Sequence, residues 1–426
     1  MDSNYTICRG DAALDVSELK TLYRDVFQQE DVAELADILF HHAPGLPPEN
    51  WLLAREKNTN ALAAACVLIP WTWEMEGVAI KVGEQGLVGT LDEHRKKGLM
   101  RGLNDALRQI MLDEGYLLGV IQGIPGFYHN FGYYYSVPLN NHIDAPFHIM
   151  PDELEGSPWT FAPATKEDIP FLLEEDERYR SYYSISVKRD RAVWDYLLTH
   201  SKNTEYGSDY FITKHSKTGQ RFYCRIPGQG FGSGLIVSEV SIDISPDAFM
   251  ALLVFAKKLA RERDKPYLRF DLHNDSPAGN MAIAMGAKKG YPYAWQISIP
   301  DKVAFLRGIA SVLEKRLAGS CFKGFSGVYR LEMFAENADL VWSRGVLEEV
   351  RPGTTEECPL TFCLNQDLFP LLALGHRTWR ELQHTRPDIF PAAQHVRPFD
   401  YLARDQSAPM TDVLFPKTKS WVYERY

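Results

Sequence analysis

The chain of 426 residues has only six cysteines, at 8, 66, 224, 321, 358 and 363, and no two of them form a Cys-x-x-Cys pair. That excludes the common zinc modules and a thioredoxin-type redox pair. The twelve histidines are scattered, and no metal site is expected. Long apolar runs are missing as well: the strongest, about 61–71, falls far short of the roughly 20 residues a bilayer requires. The opening Met1-Asp2-Ser3-Asn4-Tyr5 lacks the basic and apolar parts of a secretion signal, so a reducing cytoplasm is the expected setting. No Gly-x-x-x-x-Gly-Lys-Ser/Thr loop occurs, and no Gly-x-Gly-x-x-Gly follows a strand-like run. An excess of positive charge is absent: 46 Lys and Arg stand against 56 Asp and Glu, a net charge of −10. A general nucleic-acid binder needs the opposite balance.

What is present belongs to folded cores. Hydrophobic residues make up 45% of the chain and there are 21 tyrosines, and this length exceeds a single core, so two or three domains are expected.

The most informative stretch is 88–101, Val-Gly-Thr-Leu-Asp-Glu-His-Arg-Lys-Lys-Gly-Leu-Met-Arg. It joins a β-like run to an amphipathic helix in which Leu99, Leu103, Ala106, Leu107, Ile110 and Met111 fall on one stripe, with Asn104, Asp105, Arg108 and Asp113 off it. Arg95, Lys96, Lys97 and Arg101 put positive charge at a helix N-terminus, where the dipole disfavours it unless an anion binds. Free N–H groups, the dipole and the cations converge on one point, which suits a phosphate or pyrophosphate. The alternative is a solvated basic face. Gly115 is placed to end the helix, and the apolar run 116–121 reads as a strand buried on both faces.

Upstream, 16–28 reads as a helix, and 51–57, 61–74, 77–82 and 85–91 as strands. The glycine-rich 227–234 reads as a hairpin or mobile loop. A second unit with a capping-box-like start at 164–168 follows, with a long helix at 248–263, a strand at 266–271 and a short helix at 280–287. From 301 the pattern changes again, with a helix at 303–317, strands at 327–336 and 338–350, and short helices at 368–374 and 377–382.

Arg95-Lys-Lys-Gly98, then a helix, a strand and Phe127-Tyr-His-Asn-Phe-Gly-Tyr133, resembles the acetyl-CoA signature of the GNAT N-acetyltransferases. The two motifs together are most similar to the enhanced intracellular survival (Eis) type. Met100 departs from the Gly or Ala of the wider superfamily. The resemblance implies an α/β (α+β) chain of tandem GNAT folds followed by a sterol-carrier-protein-like domain. The units are a catalytic domain at 1–148, a degenerate GNAT-like domain at 149–300 without a basic cluster, and the third domain at 301–426.

The same resemblance implies the chemistry, with acetyl-CoA as co-substrate and no metal. Val88, Gly89 and Thr90 would pair with the pantetheine arm. Arg95, Lys96, Lys97, Gly98, Leu99, Met100 and Arg101 would hold the pyrophosphate, and Gly123 would line the gap. Tyr128 takes the family's general-acid position, and the carboxylate of Tyr426 that of the base. A backbone N–H near Val88 would face the oxyanion. Family acceptors include aminoglycosides, polyamines and lysine side chains, so a primary amine is the expected acceptor. Glu424 lies two residues before Tyr426, on the same side of an extended segment. A homo-oligomer, a hexamer by family, is expected, with no nucleic-acid or membrane partner. The other function classes are a catalytically silent acetyl-CoA sensor and a lipid-binding module.

Overall fold

The computed structural model describes residues 2–139, 141–204, 207–230, 232–291, 293–334, 336–391 and 407–423. The first unit contains β1 (Tyr5–Arg9), α1 (Val16–Val26), α2 (Val32–His42), β2 (Trp51–Glu56), β3 (Leu62–Met75), β4 (Val78–Thr90), α3 (Leu99–Asp113), β5 (Leu118–Ile121) and β6 (Tyr134–Leu139). Asp15 caps α1 by accepting from the Ser17 N–H, and Leu19, Leu22 and Tyr23 are its buried face. Helix α2 was not anticipated from sequence; Ala33, Leu35, Ala36 and Leu39 bury it against the same core. The two strands expected at 77–82 and 85–91 are one strand, β4, bent by a bulge rather than broken. Asn104, expected off the buried stripe of α3, is only 4% exposed.

Strand β7 (His142–Pro146) ends the first unit, and the second follows with β8 (Trp159–Pro163), α4 (Ile169–Tyr182), β9 (Ile185–Val187), α5 (Arg191–Thr199), β10 (Ser208–His215), β11 (Arg221–Pro227), β12 (Leu235–Val237), β13 (Glu239–Val240), α6 (Pro246–Glu262), β14 (Tyr267–Asp271), α7 (Pro277–Ala284), β15 (Lys288–Lys289) and β16 (Tyr293–Ser298). Thr165 and Asp168 form the reciprocal capping box ahead of α4. The glycine-rich 227–234 is not a hairpin: β11 pairs with β10 and β13 while β12 pairs with β14, so the segment crosses between two sheets. Glycine at 232 suits the backbone there, which takes φ 92°, a conformation that L side chains rarely adopt.

The sheets interlock across the expected boundaries. The eight-stranded sheet runs β1-β2-β3-β4-β5-β16-β6, with β9 also pairing with β3. Strand β16, from the far end of the second unit, thus lies between β5 and β6 of the first. In return, β7 lies between β14 and β15.

The third unit holds α8 (Lys302–Gly308), α9 (Ala310–Ala318), β17 (Gly327–Glu332), β18 (Asn337–Ser343), β19 (Val346–Pro352), β20 (Leu360–Cys363), α10 (Phe369–Ala373), α11 (Trp379–Gln383), β21 (Phe390–Pro391) and α12 (Ser407–Leu414). The run expected as one strand at 338–350 is the hairpin β18–β19, turned at Arg344 and Gly345, which have φ of 50° and 85°. The helix expected at 303–317 is two, separated at Ile309. Beyond Leu414 the chain runs back to the second unit, where the Ser184 N–H donates to Lys419 O at 2.7 Å and the Trp421 N–H to Ile185 O at 2.9 Å. All six cysteines are free thiols. Among the described residues no helix is long and apolar enough to cross a membrane.

Candidate active site

Strands β4 and β5 run parallel, but their ladder holds only three rungs, Val82–Leu118, Gly83–Gly119 and Glu84–Val120. Beyond Glu84, β4 continues to Thr90 without pairing to β5 among the described residues. The divergence has a local cause. Opposite Ala65 to Val67 of β3, strand β4 spends an extra residue between Gly86 and Gly89, and Leu87 takes φ 48°. Such a bulge bends the strand and re-aims its N–H groups. The result is a wedge that opens toward the start of α3, edged on one side by Val88, Gly89 and Thr90.

At the open end the chain makes a short turn, Asp92–His94, and passes through Lys96 (φ 63°) and Gly98 (φ 76°) into α3. No side chain caps α3 and no acidic residue lies in its first turn. Its first internal bond is from Gly102 N–H to Gly98 O at 3.1 Å, so the N–H groups of Leu99, Met100 and Arg101 have no partner within the helix. Arg95, Lys96 and Arg101 are exposed around this end. Arg95 pairs with Asp92 at 3.0 Å, and Arg101 lies 5.5 Å over the Phe131 ring. Lys97 is turned away, its ammonium donating to the Tyr5 hydroxyl at 2.9 Å, which in turn meets His94 Nδ1 at 2.7 Å. The Leu99 side chain is buried with Leu103 and Leu107 against the sheet.

At the other side of the wedge, Tyr128 is 4% exposed. It packs in a small cluster with Ile121 and Tyr133, against which Val88, Met100 and Phe131 lie. The large residue at position 100 is therefore wall rather than intrusion. Gly123 lies under the Tyr128 ring: a Cβ there would fall 2.2 Å from Tyr128 Cδ2. Its carbonyl is fixed from β16, accepting from Tyr293 Oη at 2.6 Å and Gln296 Nε2 at 2.8 Å. Burial, with the neighbouring Cys66 thiol and Tyr293 phenol, pushes the Tyr128 phenol well above the usual tyrosine range. It stays protonated at any physiological pH. Burial likewise pushes the Cys66 thiol up to about 12, which makes it an inert wall group.

Sequence reasoning missed Glu84. It occupies the last rung of the β4–β5 ladder, is 1% exposed, and accepts from the Trp71 indole at 2.9 Å. Its neighbours in the core are those of the face opposite α3, since Val82 packs with Trp71 and Trp73 while Leu68 packs with α3. The available signal was a lone carboxylate inside an apolar strand, a pattern that costs free energy unless the charge is used or paired. Gln85, next along, is buried on the α3 face beside the Cys66 thiol. Tyr426 and Glu424 lie outside the described residues. The segment leading to them is buried at Trp421, Val422 and Tyr423. Among the described residues no group of three or more His, Cys, Asp or Glu is placed to hold a metal ion.

The arrangement pairs an uncapped, basic helix start, suited to an anion, with a wedge wide enough for an extended chain, and a protonated phenol and a carboxylate lie near it. Residues 12–136 match the profile of the acetyltransferase (GNAT) domain. No curated protein sequence matches the chain. Among solved structures, the fold is similar to a GCN5-related N-acetyltransferase from Anabaena variabilis ATCC 29413, with 14% identity, 98% of this chain and 99% of that chain covered, and a TM-score of 0.68. It is also similar to a probable N-acyltransferase from Enterococcus faecalis V583, with 15% identity, 99% of both chains covered and a TM-score of 0.68. Eis1 from Mycobacterium abscessus shares the fold at 14% identity over 98% of this chain and 99% of that chain, with a TM-score of 0.62. The chain thus carries a GNAT acetyltransferase domain in its first part and is an acyltransferase.

Proposed function

We propose that the chain is an Eis-type N-acetyltransferase that moves acetyl from acetyl-CoA to a primary amine of a small polycationic or lysine-like acceptor by direct attack. The observation that carries this reading is the wedge between β4 and β5, with the uncapped basic start of α3 at its mouth and Tyr128 at its side. Val88 to Thr90 offer a strand edge to the pantetheine amides. The N–H groups from Lys96 to Arg101, with the Arg95, Lys96 and Arg101 side chains, offer the pyrophosphate a positive cradle.

The acceptor must attack as a neutral amine, and an alkylamine titrates near ~10.4. The carboxylate of Tyr426 takes its proton, directly or through water, and the nitrogen lone pair attacks the thioester carbonyl. The N–H at the β4 bulge, near Val88, steadies the oxyanion. The C–S bond then breaks, the Tyr128 phenol passes its proton to the leaving sulfur, and the nitrogen's extra proton passes to the phenolate, directly or through water, which restores it. A free thiol near ~8.5 would not draw a proton from so weak an acid. A thiolate leaving into the same desolvated cluster gains basicity by the burial that holds Tyr128 protonated. In this reading the units at 1–148, 149–300 and 301–426 serve catalysis, acceptor-cleft wall and pocket closure, and the chain works as a homo-oligomer.

The test is thiol release from acetyl-CoA by the wild-type chain and Tyr128→Phe across a panel holding an aminoglycoside, a polyamine and a lysine peptide. Amine-dependent release that is lost in Tyr128→Phe supports the reading and names the acceptor class. Acetyl-CoA binding without release for any amine supports a sensor instead.

A further inference from the structure

Between the first and second units lies a chain of buried charges that the reaction does not use. Arg180 bridges Glu74 of β3 at 2.7 Å and Asp176 at 3.1 Å. Asp176 also accepts from Arg189 Nε at 3.2 Å, and Arg189 Nη1 meets both oxygens of Glu239 at 3.0 Å. Glu239 accepts in addition from Arg225 at 3.1 Å and from the Tyr223 hydroxyl at 3.0 Å. Three guanidinium groups thus face three carboxylates. Such a network adds little net stability compared with an apolar core, and its gain is in specifying one arrangement.

The arrangement it specifies is that of the closing segment. The Arg189 guanidinium is held between two rings, 4.2 Å from Trp194 and 5.1 Å from Tyr423. The Tyr423 ring stacks on Tyr179 at 4.1 Å. Two backbone hydrogen bonds tie 419–421 to Ser184 and Ile185, beside β9. Strand β9 pairs with Trp73–Met75 of β3, whose continuation, Pro70 to Trp71, pairs with Gly83 and Val82 at the wedge apex. The segment from Lys419 to Trp421 advances along β9 in the direction that leads to that apex.

We infer that Arg189 and Tyr423 form a clasp that fixes the 419–423 segment against β9, and that the proposed reaction depends on it. Both are positioning residues, and the catalytic part of this inference rests on the proposed role of the Tyr426 carboxylate. The cation–π contact contributes more here than on a surface because both partners are desolvated. Tyr423→Leu keeps apolar bulk but removes the ring; Tyr423→Phe keeps the ring.

Hydrogen exchange by mass spectrometry on the full chain, read for peptides covering Ser184 and Trp421, tests the clasp itself. In wild type these amides should exchange as slowly as those of β3. Tyr423→Leu should speed them at least about 10-fold while α6 amides keep their protection, and Tyr423→Phe should restore wild-type rates. Wild-type amides that exchange at surface-loop rates would overturn the clasp without any variant, and so would a Tyr423→Leu chain that keeps full protection. Turnover gives the second readout: kcat falls about 10-fold in Tyr423→Leu with KM for acetyl-CoA unchanged, because the phosphate cradle is elsewhere. Deleting Tyr426 separates the two readings. Undiminished turnover after that deletion removes the base, whereas the exchange result stands or falls alone.

Discussion

The Tyr128 ring lies so close on Gly123 that a single methyl at position 123 would overlap Cδ2 and Cε2, at 2.2 and 2.3 Å. The glycine is held from behind by Tyr293 and Gln296, so the ring must yield. Gly123→Ala is therefore expected to displace the phenol, costing on the order of 1–3 kcal/mol of stability as overpacking and about 10-fold or more in kcat. Steady-state kinetics and thermal unfolding check this. In the double variant with Tyr128→Phe, no further kinetic loss should appear, since both changes remove one contact.

Tyr128→Phe should lower kcat by about 10²-fold or more, the usual contribution of a positioned proton donor. With the phenol held well above the ordinary tyrosine range by burial, its deprotonation should leave no descending limb in the wild-type rate profile up to pH 10. A fall in rate with pKa near 9 to 10 that vanishes in Tyr128→Phe would contradict the burial argument.

Replacing Arg95, Lys96 or Arg101 by Gln should raise KM for acetyl-CoA by about 3- to 10-fold each, with kcat little changed, and the effect should shrink as salt is added. Lys97→Gln should do less to KM, because its ammonium is engaged by Tyr5. Isothermal titration with coenzyme A at two salt concentrations separates the four.

Glu84→Gln retains an oxygen for the Trp71 indole but removes a buried carboxylate at the wedge apex, on the face away from α3. With Tyr426 as the proposed base, Glu84 would act by attracting the cationic acceptor, so a loss of about 10-fold in kcat/KM at neutral pH is expected, shrinking as pH approaches the pKa of the acceptor amine and its charge is lost. A uniform loss at all pH values would reduce Glu84 to a hydrogen-bonding group of the core.

His273 lies 5.9 Å from Trp421 and 5.7 Å from Tyr183, and burial pushes its imidazole down to about 4. The depressed value means the unfolded chain takes up the proton first. Stability is whole above about pH 6.5 and declines as pH falls from there toward 4, by at most about 3 kcal/mol from this residue. His376, also pushed down to about 4 mainly by burial, adds a loss in the same window. Thermal midpoints across pH 4–7 should fall less steeply in His273→Gln.

The parts of this structure that could be read in the sequence are those written locally. The basic turn and the α3 stripe follow from spacing, and the α4 capping box from Thr165 and Asp168. The bulge at Leu87 could not be read, because its cause is the one-residue mismatch with β3, a strand 20 residues upstream. Helix α2 escaped because its apolar residues crowd nearly all round, which blurs a 3.6-residue period. Lys97 was assigned to the pyrophosphate cradle and Asn104 to the face off the buried stripe, yet Tyr5 engages the first and the second is buried, both through tertiary contacts. Glu84 was legible only as an oddity. Its meaning came from Val120, which shows where the ladder stops.

The exchange of β7 and β16 makes each sheet depend on residues the other unit supplies. On the ribosome, β5 emerges long before the strand that lies beside it, since about 170 residues separate Ile121 from Tyr293. Until then the nascent chain carries an open edge of apolar strand close to Tyr128, a state prone to mispairing with neighbours. Synthesis of the first GNAT sheet is thus complete only when most of the second unit has been made, and the acyltransferase matures late rather than domain by domain.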